Sequence, residues 1–220
     1  MKNIVIIPAR GGSKRLPKKN IQLLGEIPLI VHSILFAQKH DFISEVYIST
    51  DDEEIKSVAA KYGAIVIDRP KQLSGDFEPT VSALKNVLEN VSDVENVVLL
   101  QATNPLRPEK MLEEAFQIFQ DNKCDSLFTV SENHLKLGKI NNNKFQPFNY
   151  ELGQRSQDLE PLFYENGLLY ISKANLIKND IIVSENAFPY HINHIFASVD
   201  IDTQEDFDYA TYLYEKYYNL

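Results

Sequence analysis

Near its amino end the chain carries Ile4-Val5-Ile6-Ile7-Pro8-Ala9-Arg10-Gly11-Gly12-Ser13-Lys14-Arg15, and Lys18-Lys19-Asn20 follows two residues later. Four consecutive apolar residues predict a buried strand that runs directly into two glycines and a cluster of cations. Because glycine tolerates positive φ, we expect Gly11 and Gly12 to bring backbone N–H groups close to phosphate oxygens. Arginine binds phosphate through a two-pronged fork, and lysine binds it as a point charge. This pattern predicts a loop that holds a polyphosphate.

The spacing of this loop excludes two familiar phosphate-binding motifs. It lacks the Gly-Lys-Ser/Thr of a Walker A loop, and no G-x-G-x-x-G follows a strand. An exposed basic turn after an edge strand is the alternative. We favour phosphate binding because the chain as a whole is acidic, with a net charge of −9, and a cluster of cations departs from that charge. A cationic loop on an acidic body indicates a small anionic ligand and argues against nucleic acid, whose binding proteins carry a basic face.

Length and composition predict an ordinary globular protein. The chain has 220 residues, of which 44% are hydrophobic and 24% are charged, so we expect residues 1–220 to form a single domain. Its single cysteine, Cys124, has no internal disulfide partner, and we expect a partly buried structural thiol. The first apolar run is too short for a signal peptide or a membrane span. We therefore expect a cytoplasmic protein with no membrane partner.

The rest of the sequence alternates apolar runs with helical patterns. Strands are predicted at 4–7, 45–50, 64–68, 96–100, 126–130, 167–171 and 194–199. Helices are predicted at 29–37, from a Thr50–Glu53 capping box to Gly63, at 81–88, from Pro108 through 111–119, and at 205–217, where Phe207, Ala210, Tyr214 and Tyr217 form the buried face. This alternation predicts a three-layer α/β fold with a mainly parallel sheet. Ligands of such sheets bind beyond the carboxyl ends of the strands, where the basic loop, residues 50–52 and residues 101–107 are expected to meet.

Residues 134–161 do not follow this alternation of strands and helices. The segment is polar, contains Asn141-Asn142-Asn143, and scatters Phe145, Phe148 and Tyr150 without a clear period. It is either a disordered loop or a protruding arm that packs on another subunit. The aromatic residues favour the arm.

Five motifs carry a resemblance to one family. They are the basic loop, Leu100-Gln101-Ala102-Thr103-Asn104-Pro105-Leu106-Arg107, Arg155-Ser156-Gln157-Asp158, Tyr164-Glu165-Asn166-Gly167 and Asp200-Ile201-Asp202. In order and spacing, nearly the whole chain resembles the acylneuraminate cytidylyltransferases, also called CMP-sialic acid synthetases. The resemblance implies a Rossmann-like nucleotidyltransferase fold and a homodimer in which residues 134–161 serve dimerisation and substrate binding. It also implies the reaction CTP + N-acylneuraminate = CMP-N-acylneuraminate + diphosphate, by in-line attack of the anomeric hydroxyl on the α-phosphorus.

The resemblance also assigns the nucleotide side of the site. Catalytic roles fall on Arg10, Lys14 and Lys19, and nucleotide contacts on Ala9, Arg10, Gly11, Gly12, Ser13, Lys14, Asn20, Arg69 and Thr80. Arg15 stands where a glycine is usual in the sialic acid enzymes. With Arg15, the loop of this chain is similar to the loop of the pseudaminic acid and Kdo cytidylyltransferases. The identity of the sugar therefore stays open.

Asp200 and Asp202 form the predicted metal site. Alternate residues of an extended segment share a face, and two carboxylates so placed suit Mg²⁺, which bridges phosphate oxygens. Mn²⁺ is the expected substitute. The alternative is a solvated strand end at which Asp202 or Thr203 merely caps the last helix. The family resemblance favours the metal.

On the sugar side, the resemblance implies that Arg155 binds the carboxylate of the sugar, with Lys136 and Tyr170 nearby. Gln101 ends a buried strand, and its amide is expected to pair with the sugar or the base. Arg107 is either a cation of the active site or the ion-pair partner of Glu109 and Glu113 on the following helix. The five histidines lack metal-ligand spacing and are expected to be structural.

Two alternatives of function stay open. The first keeps the chemistry and changes the sugar to legionaminic, pseudaminic, Kdn or Kdo. The second is a non-catalytic regulatory protein that binds nucleotide, which would be expected to show a broken loop or damaged metal ligands. Lys14, Asp200 and Asp202 are all present, which favours the enzyme.

Overall fold

Eleven strands and six α-helices lie within residues 2–218, the part of the chain that the computed structural model describes. The strands are β1 (Lys2–Pro8), β2 (Leu23–Leu24), β3 (Ile27–Pro28), β4 (Glu45–Thr50), β5 (Ile65–Asp68), β6 (Val94–Leu99), β7 (Ser126–Asn133), β8 (Gly138–Asn141), β9 (Lys144–Pro147), β10 (Leu162–Lys173) and β11 (Phe188–His191). The helices are α1 (Leu29–Gln38), α2 (Glu53–Lys61), α3 (Thr80–Asn90), α4 (Met111–Asp121), α5 (Ala174–Lys178) and α6 (Gln204–Leu213). None of the helices in this range has the length and apolar character that a membrane crossing requires.

Seven of the strands form the central sheet, in the order β11-β7-β10-β6-β1-β4-β5. Neighbouring strands are parallel except at β10, which runs antiparallel to both β6 and β7. The predicted mainly parallel sheet is therefore confirmed. From β1 the chain proceeds outward to β4 and β5 and then returns to β6 on the other side of β1. This reversal opens a crevice at the carboxyl ends of β1 and β6, the usual place for a ligand in such folds.

Helices cover both faces of the sheet and form the predicted three layers. Val5 and Ile7 of β1 pack with α1, α2 and α4, whereas Ile4 and Ile6 pack with α3 and α5. All four side chains are fully buried. Burying one such side chain stabilises the fold by about 1.5–3 kcal/mol. Because successive side chains of a strand point to opposite faces, the apolar run of β1 stabilises the packing of helices on both faces of the sheet.

A third apolar cluster brings the end of the chain to the loop after β1. Leu16 and Leu24, which follow β1, pack against Val199, Ile201 and residues of α6. The N-terminus of α6 is fixed by a capping box. There the Thr203 hydroxyl accepts the Asp206 N–H, and the Asp206 carboxylate accepts the Thr203 N–H. Thr203 is thus the cap of the last helix, and Asp202 directly before it is carried to the crevice.

Two helix starts differ from the prediction. The cap of α2 is Asp52, whose Oδ1 accepts the N–H groups of Glu54 and Ile55 at 2.9 and 3.0 Å, whereas Thr50 belongs to β4. Helix α4 begins at Met111, because the Pro108 carbonyl accepts the Met111 N–H in a turn that precedes the helix.

The carboxyl-terminal third also corrects the prediction. The predicted strand at 194–199 is a 3-10 helix, Ile195–Ser198, and the last strand of the sheet is β11. Proline within Phe188–His191 weakens the strand pattern, and such residues are tolerated at a sheet edge. Helix α6 ends at Leu213, and a π-helical turn follows at Tyr214–Tyr218. Leu213, the last residue of α6, is buried, whereas Tyr217 in the π-helical turn is exposed, so the predicted packing role of Tyr217 is wrong.

Residues 134–161 lie between β7 and β10 and contain β8 and β9, which pair only with each other. Their large exposed apolar side chains are Leu135, Leu137, Ile140, Phe145, Phe148 and Leu152. A subunit contact through this segment stays a prediction.

Candidate active site

The crevice between β1 and β6 holds a cleft of about 480 Å³. Its lining includes most of the side chains predicted for the nucleotide side, namely Ala9, Arg10, Ser13, Lys14, Lys19, Asn20, Arg69 and Thr80. It also includes Gln101, predicted for the sugar, and Asp202, predicted for the metal, whereas Asp200, Gly11 and Gly12 are not part of it. Residues from four distant parts of the sequence therefore meet at the carboxyl edge of the sheet.

The two glycines of the basic loop act differently from the prediction. Neither Gly11 nor Gly12 adopts a left-handed backbone. The Gly11 N–H donates to Asp51 Oδ1 at 3.1 Å, so it is not free for a phosphate. Glycine is needed at position 11 because a Cβ would lie 2.5 Å from Asp52 Oδ2, whereas position 12 has open space around it. The expectation that positive φ at these glycines presents N–H groups is wrong.

Two cations of the loop share one carboxylate across the cleft. Arg10 donates to Asp76 Oδ1 at 2.8 Å, and Lys14 donates to Asp76 Oδ2. Asp76 belongs to the connection that precedes α3, on the other side of the cleft. Lys14 first and Arg10 second hold the pKa of Asp76 below its ordinary value. One carboxylate thus occupies the position between two predicted phosphate ligands.

Lys19 ties the loop to the predicted metal site. Its side chain is only 9% exposed, and its Nζ donates to the Ile201 carbonyl at 2.6 Å and to Asp202 Oδ1 at 2.8 Å. The exposed Arg15 pairs with the other oxygen of Asp202. Asn20 stabilises the loop, because its Nδ2 donates to the Arg10 carbonyl at 3.1 Å. The basic loop and the acidic pair converge as the sequence predicts.

Asp200 and Asp202 fit a hard divalent cation through the chemistry of their donors. Asp200 forms no ion pair within residues 2–218, and although the residue is exposed on one side, burial around its carboxyl group raises the pKa of Asp200. That range contains no cluster of three or more His, Cys, Asp or Glu residues suited to a metal. Mg²⁺ commonly takes only one or two carboxylates and completes its shell with water and phosphate oxygens. The residues therefore fit a metal that arrives with a phosphate ligand.

Arg69 and Thr80 line the far wall of the cleft. Arg69 is buried, and its guanidinium donates to the Ser49 hydroxyl at 3.0 Å and to the Ser49 carbonyl at 2.5 Å. Burial lowers the pKa of Arg69 to about 10, so it remains charged at neutral pH. Thr80 is the exposed first residue of α3, where backbone N–H groups lack helical partners. These positions suit contacts to a nucleoside, which stay a prediction.

The predicted sugar-side residues are divided between two places. Gln101 lines the cleft and its Nε2 donates to the Gly167 carbonyl at 3.4 Å, while Tyr170 is buried beside it. Lys136 and Arg155 lie in residues 134–161, away from the cleft lining of the single chain. There the Lys136 ammonium donates to the Gln154 carbonyl, and Arg155 donates two hydrogen bonds to Asp158. The predicted roles of Lys136 and Arg155 thus have no support within one subunit.

A family model described as Cytidylyltransferase matches residues 4–219. The chain belongs to the cytidylyltransferase family. The nucleotidyltransferase class predicted from the motifs is thereby confirmed.

Several relatives are similar to this cytidylyltransferase over most of its length. A pseudaminic acid cytidylyltransferase of Campylobacter jejuni is 35% identical over 98% of this chain and 97% of its own. A CMP-N,N'-diacetyllegionaminic acid synthase of Legionella pneumophila is 34% identical over 94% of this chain and 93% of its own. An N-acylneuraminate cytidylyltransferase of Streptococcus agalactiae is 33% identical over 94% of this chain, which spans only 52% of that relative.

The fold is also that of solved cytidylyltransferase structures. A CMP:2-keto-3-deoxy-manno-octonic acid synthetase complexed with CTP superposes with a TM-score of 0.78, covering 98% of this chain and 99% of the other at 18% identity. A 4-diphosphocytidyl-2C-methyl-D-erythritol synthase gives a TM-score of 0.66, with 96% and 97% covered at 14% identity. At these identities the likeness shows the fold alone, and it confirms the predicted α/β class.

Arg107 of this cytidylyltransferase matches neither predicted role. It is 3% exposed, does not line the cleft, and pairs with no carboxylate within residues 2–218. Its guanidinium donates three hydrogen bonds of 2.9 Å, to the carbonyls of Gln101 and Leu168 and to the Ser33 hydroxyl. Burial lowers the pKa of Arg107 to about 9. The side chain connects the end of β6 with β10 and α1.

Two acidic residues of the site have no role in the sequence-based predictions. Asp51 anchors the basic loop, and Glu165 accepts the Tyr170 hydroxyl. Asp51 lies in the turn at 50–52 and Glu165 in the motif at 164–167, but the partner of Asp51 is 40 residues away and that of Glu165 lies across a strand irregularity. Cys124 is partly buried and burial raises the pKa of its thiol, in line with the expected structural role.

Proposed function

We propose that this cytidylyltransferase transfers CMP from CTP to the anomeric hydroxyl of a nonulosonic acid and releases diphosphate. For an N-acylneuraminate the reaction is CTP + N-acylneuraminate = CMP-N-acylneuraminate + diphosphate. The observation that carries the proposal is the bond between Lys19 and Asp202, which joins the cationic loop to one carboxylate of the acidic pair within the cleft. The names of the relatives support it, because they describe cytidylyl transfer to three acids of this class.

In this proposal the protein acts by positioning and by neutralising charge, since phosphoryl-type transfer requires little covalent work from the enzyme. Arg10, Lys14 and Lys19 neutralise the triphosphate, while Arg69 and Thr80 hold the nucleoside. Asp200 and Asp202 would hold Mg²⁺, with Mn²⁺ as a substitute. The bound ion would polarise phosphate oxygens and offset charge that develops on the leaving diphosphate.

An N-acylneuraminate is the first candidate for the sugar, on the strength of the motifs at 101–107 and 164–167. Pseudaminic acid is the second, because Arg15 lies at the cleft and the Campylobacter relative is 35% identical over nearly its whole length. A regulatory protein without catalysis is disfavoured, since the loop and both carboxylates are intact.

The proposal includes a homodimer in the cytoplasm. Six exposed apolar side chains in residues 134–161 favour a subunit contact there, since such residues are costly in water. In the dimer, the partner's copy of this segment would supply Lys136 and Arg155 to the sugar carboxylate.

A panel of sugars tests the proposed function. Purified protein is incubated with CTP, Mg²⁺ and one of N-acetylneuraminic, legionaminic, pseudaminic, Kdn or Kdo acid, and diphosphate release is measured. We expect release that requires both CTP and sugar, with the highest kcat/KM for N-acetylneuraminic acid. A preference for pseudaminic acid would favour the second candidate, and no release with any sugar would contradict the proposal.

Asp76→Asn is expected to tighten CTP binding by roughly two- to tenfold, with the larger gain at low salt. The wild-type carboxylate competes with the triphosphate for Arg10 and Lys14, whereas the neutral amide competes weakly. Isothermal titration calorimetry at two salt concentrations measures the change. Asp125→Asn is the matched control, because Asp125 is also exposed and pairs with a lysine, but away from the cleft. Unchanged or weaker CTP binding by Asp76→Asn would show that Asp76 does not compete.

A further inference from the structure

A bulge in β10 brings together two side chains that a regular strand would separate. Along the pairing with β7, Glu165 lies opposite Val130 and Tyr170 lies opposite Phe128, so five steps in β10 match two steps in β7. In a regular strand, residues five apart face opposite sides and lie about 16 Å from each other. Here the Tyr170 hydroxyl donates to Glu165 Oε1 at 2.5 Å.

Buried polar contacts hold this bulge in one conformation. Asn166 is buried, its Oδ1 accepts from the Thr129 hydroxyl at 2.6 Å, and its Nδ2 donates to the Ser131 hydroxyl at 2.9 Å. Gly167 has φ of +75°, and a Cβ there would lie 2.9 Å from Gln101 Nε2. The bulge is therefore a built feature that lies directly against Gln101.

The hydrogen bonds of this region have a defined direction. A carboxylate can only accept, so Glu165 requires Tyr170 to donate. Burial first, and the hydrogen bond to Glu165 second, raise the pKa of Tyr170, so the hydroxyl stays protonated. The amide nitrogen of Gln101 donates to the Gly167 carbonyl in the bulge at 3.4 Å. Within residues 2–218, Gln101 Oε1 has no hydrogen-bond partner, and Gln101 lines the cleft.

We propose that Glu165 is a positioning residue for the sugar. By accepting from Tyr170, Glu165 closes the bulge, and the Gly167 carbonyl of the bulge accepts from the Gln101 amide nitrogen, so that Gln101 presents its oxygen to the cleft. The part of the sugar that lies against Gln101 then carries a hydrogen-bond donor, a hydroxyl or an amide N–H, and the sugar carboxylate lies elsewhere. This inference rests on the proposed function and assigns the class of group that the sugar presents.

Glu165→Gln tests the inference, because an amide can both donate and accept and removes the charge that strengthens the bond. We expect KM for the preferred sugar to rise about tenfold, with kcat and KM for CTP within twofold of wild type. The unfolding temperature is expected to stay unchanged, because Glu165 is exposed. Glu185→Gln is the control, since Glu185 is exposed, lies outside both the cleft lining and residues 134–161, and has no ion pair among residues 2–218.

A double variant separates positioning from a direct charge effect. If Glu165 acts through Tyr170, adding Glu165→Gln to Tyr170→Phe has no further effect on KM for the sugar. Additive effects of the two changes, or an unchanged sugar KM in Glu165→Gln, would overturn the inference while leaving the proposed function intact. Absence of turnover by the wild-type protein with every sugar would overturn the proposed function and this inference with it.

Discussion

Asp200→Asn is expected to lower CTP-dependent turnover about a thousandfold, which corresponds to roughly 4 kcal/mol of transition-state stabilisation. The substitution preserves the shape of the side chain and removes one of the two carboxylates proposed to hold Mg²⁺. Asp200 forms no ion pair among residues 2–218, so the unfolding temperature should not fall. Diphosphate release and thermal unfolding of the same preparation measure the two properties.

Two further variants make this prediction specific. Asp208→Asn is the control, because Asp208 is exposed on α6 and its carboxylate accepts from Gln204 of the same helix, so its activity should match wild type. Asp202→Asn should lose as much activity and also some stability, because it leaves Lys19, which is 9% exposed, without its carboxylate partner. Wild-type turnover by Asp200→Asn over a range of Mg²⁺ concentrations would contradict the metal assignment.

Arg107→Met is expected to lower the free energy of unfolding by about 3 kcal/mol. The change removes the donor of three hydrogen bonds and takes this donor from the enclosed Leu168 carbonyl, whereas the Gln101 carbonyl keeps the Ser33 hydroxyl and the Asn104 N–H as donors at 3.3 and 3.4 Å. Relief of a desolvated charge offsets part of this loss, but each unpaired acceptor costs about 1–3 kcal/mol. Urea unfolding followed by circular dichroism measures the difference.

A conservative and a surface variant complete this series. Arg107→Lys keeps the charge but cannot span the same acceptors with a planar fork, so an intermediate loss is expected. Lys110→Met should change the stability little, because Lys110 is exposed just before α4. If Arg107→Met were as stable as wild type, the three hydrogen bonds would not be what holds the end of β6 against β10.

The sequence predicted the sheet and its crevice because both follow from local patterns. Each central parallel strand is a short apolar run, and ligands of such sheets bind where the strand order reverses. The loop after β1 and Gln101 after β6 therefore had to approach each other. The position of Asp202 depends instead on the packing of Leu16 and Ile201 in the third apolar cluster, a contact between distant parts of the sequence.

Other features could not be predicted because tertiary contacts decide them. Arg107 is buried, and two of its hydrogen-bond acceptors, the Leu168 carbonyl and the Ser33 hydroxyl, lie 61 and 74 residues away. Nothing next to Arg107 in the sequence indicates that it is buried. The Glu165–Tyr170 pair depends on a register shift in β10 that periodicity does not reveal. Position 11 requires glycine because a Cβ there would clash with Asp52. The sequence predicts a different reason, namely the freedom of glycine to adopt positive φ.

A crystal structure with CTP and Mn²⁺, using the anomalous signal of manganese, tests the account most directly. We expect the metal to be coordinated by Asp200, Asp202 and phosphate oxygens of CTP. Arg10 and Lys14 should contact the triphosphate and should no longer be paired with Asp76. A nucleotide bound outside the cleft, or a metal that touches neither carboxylate, would contradict the account.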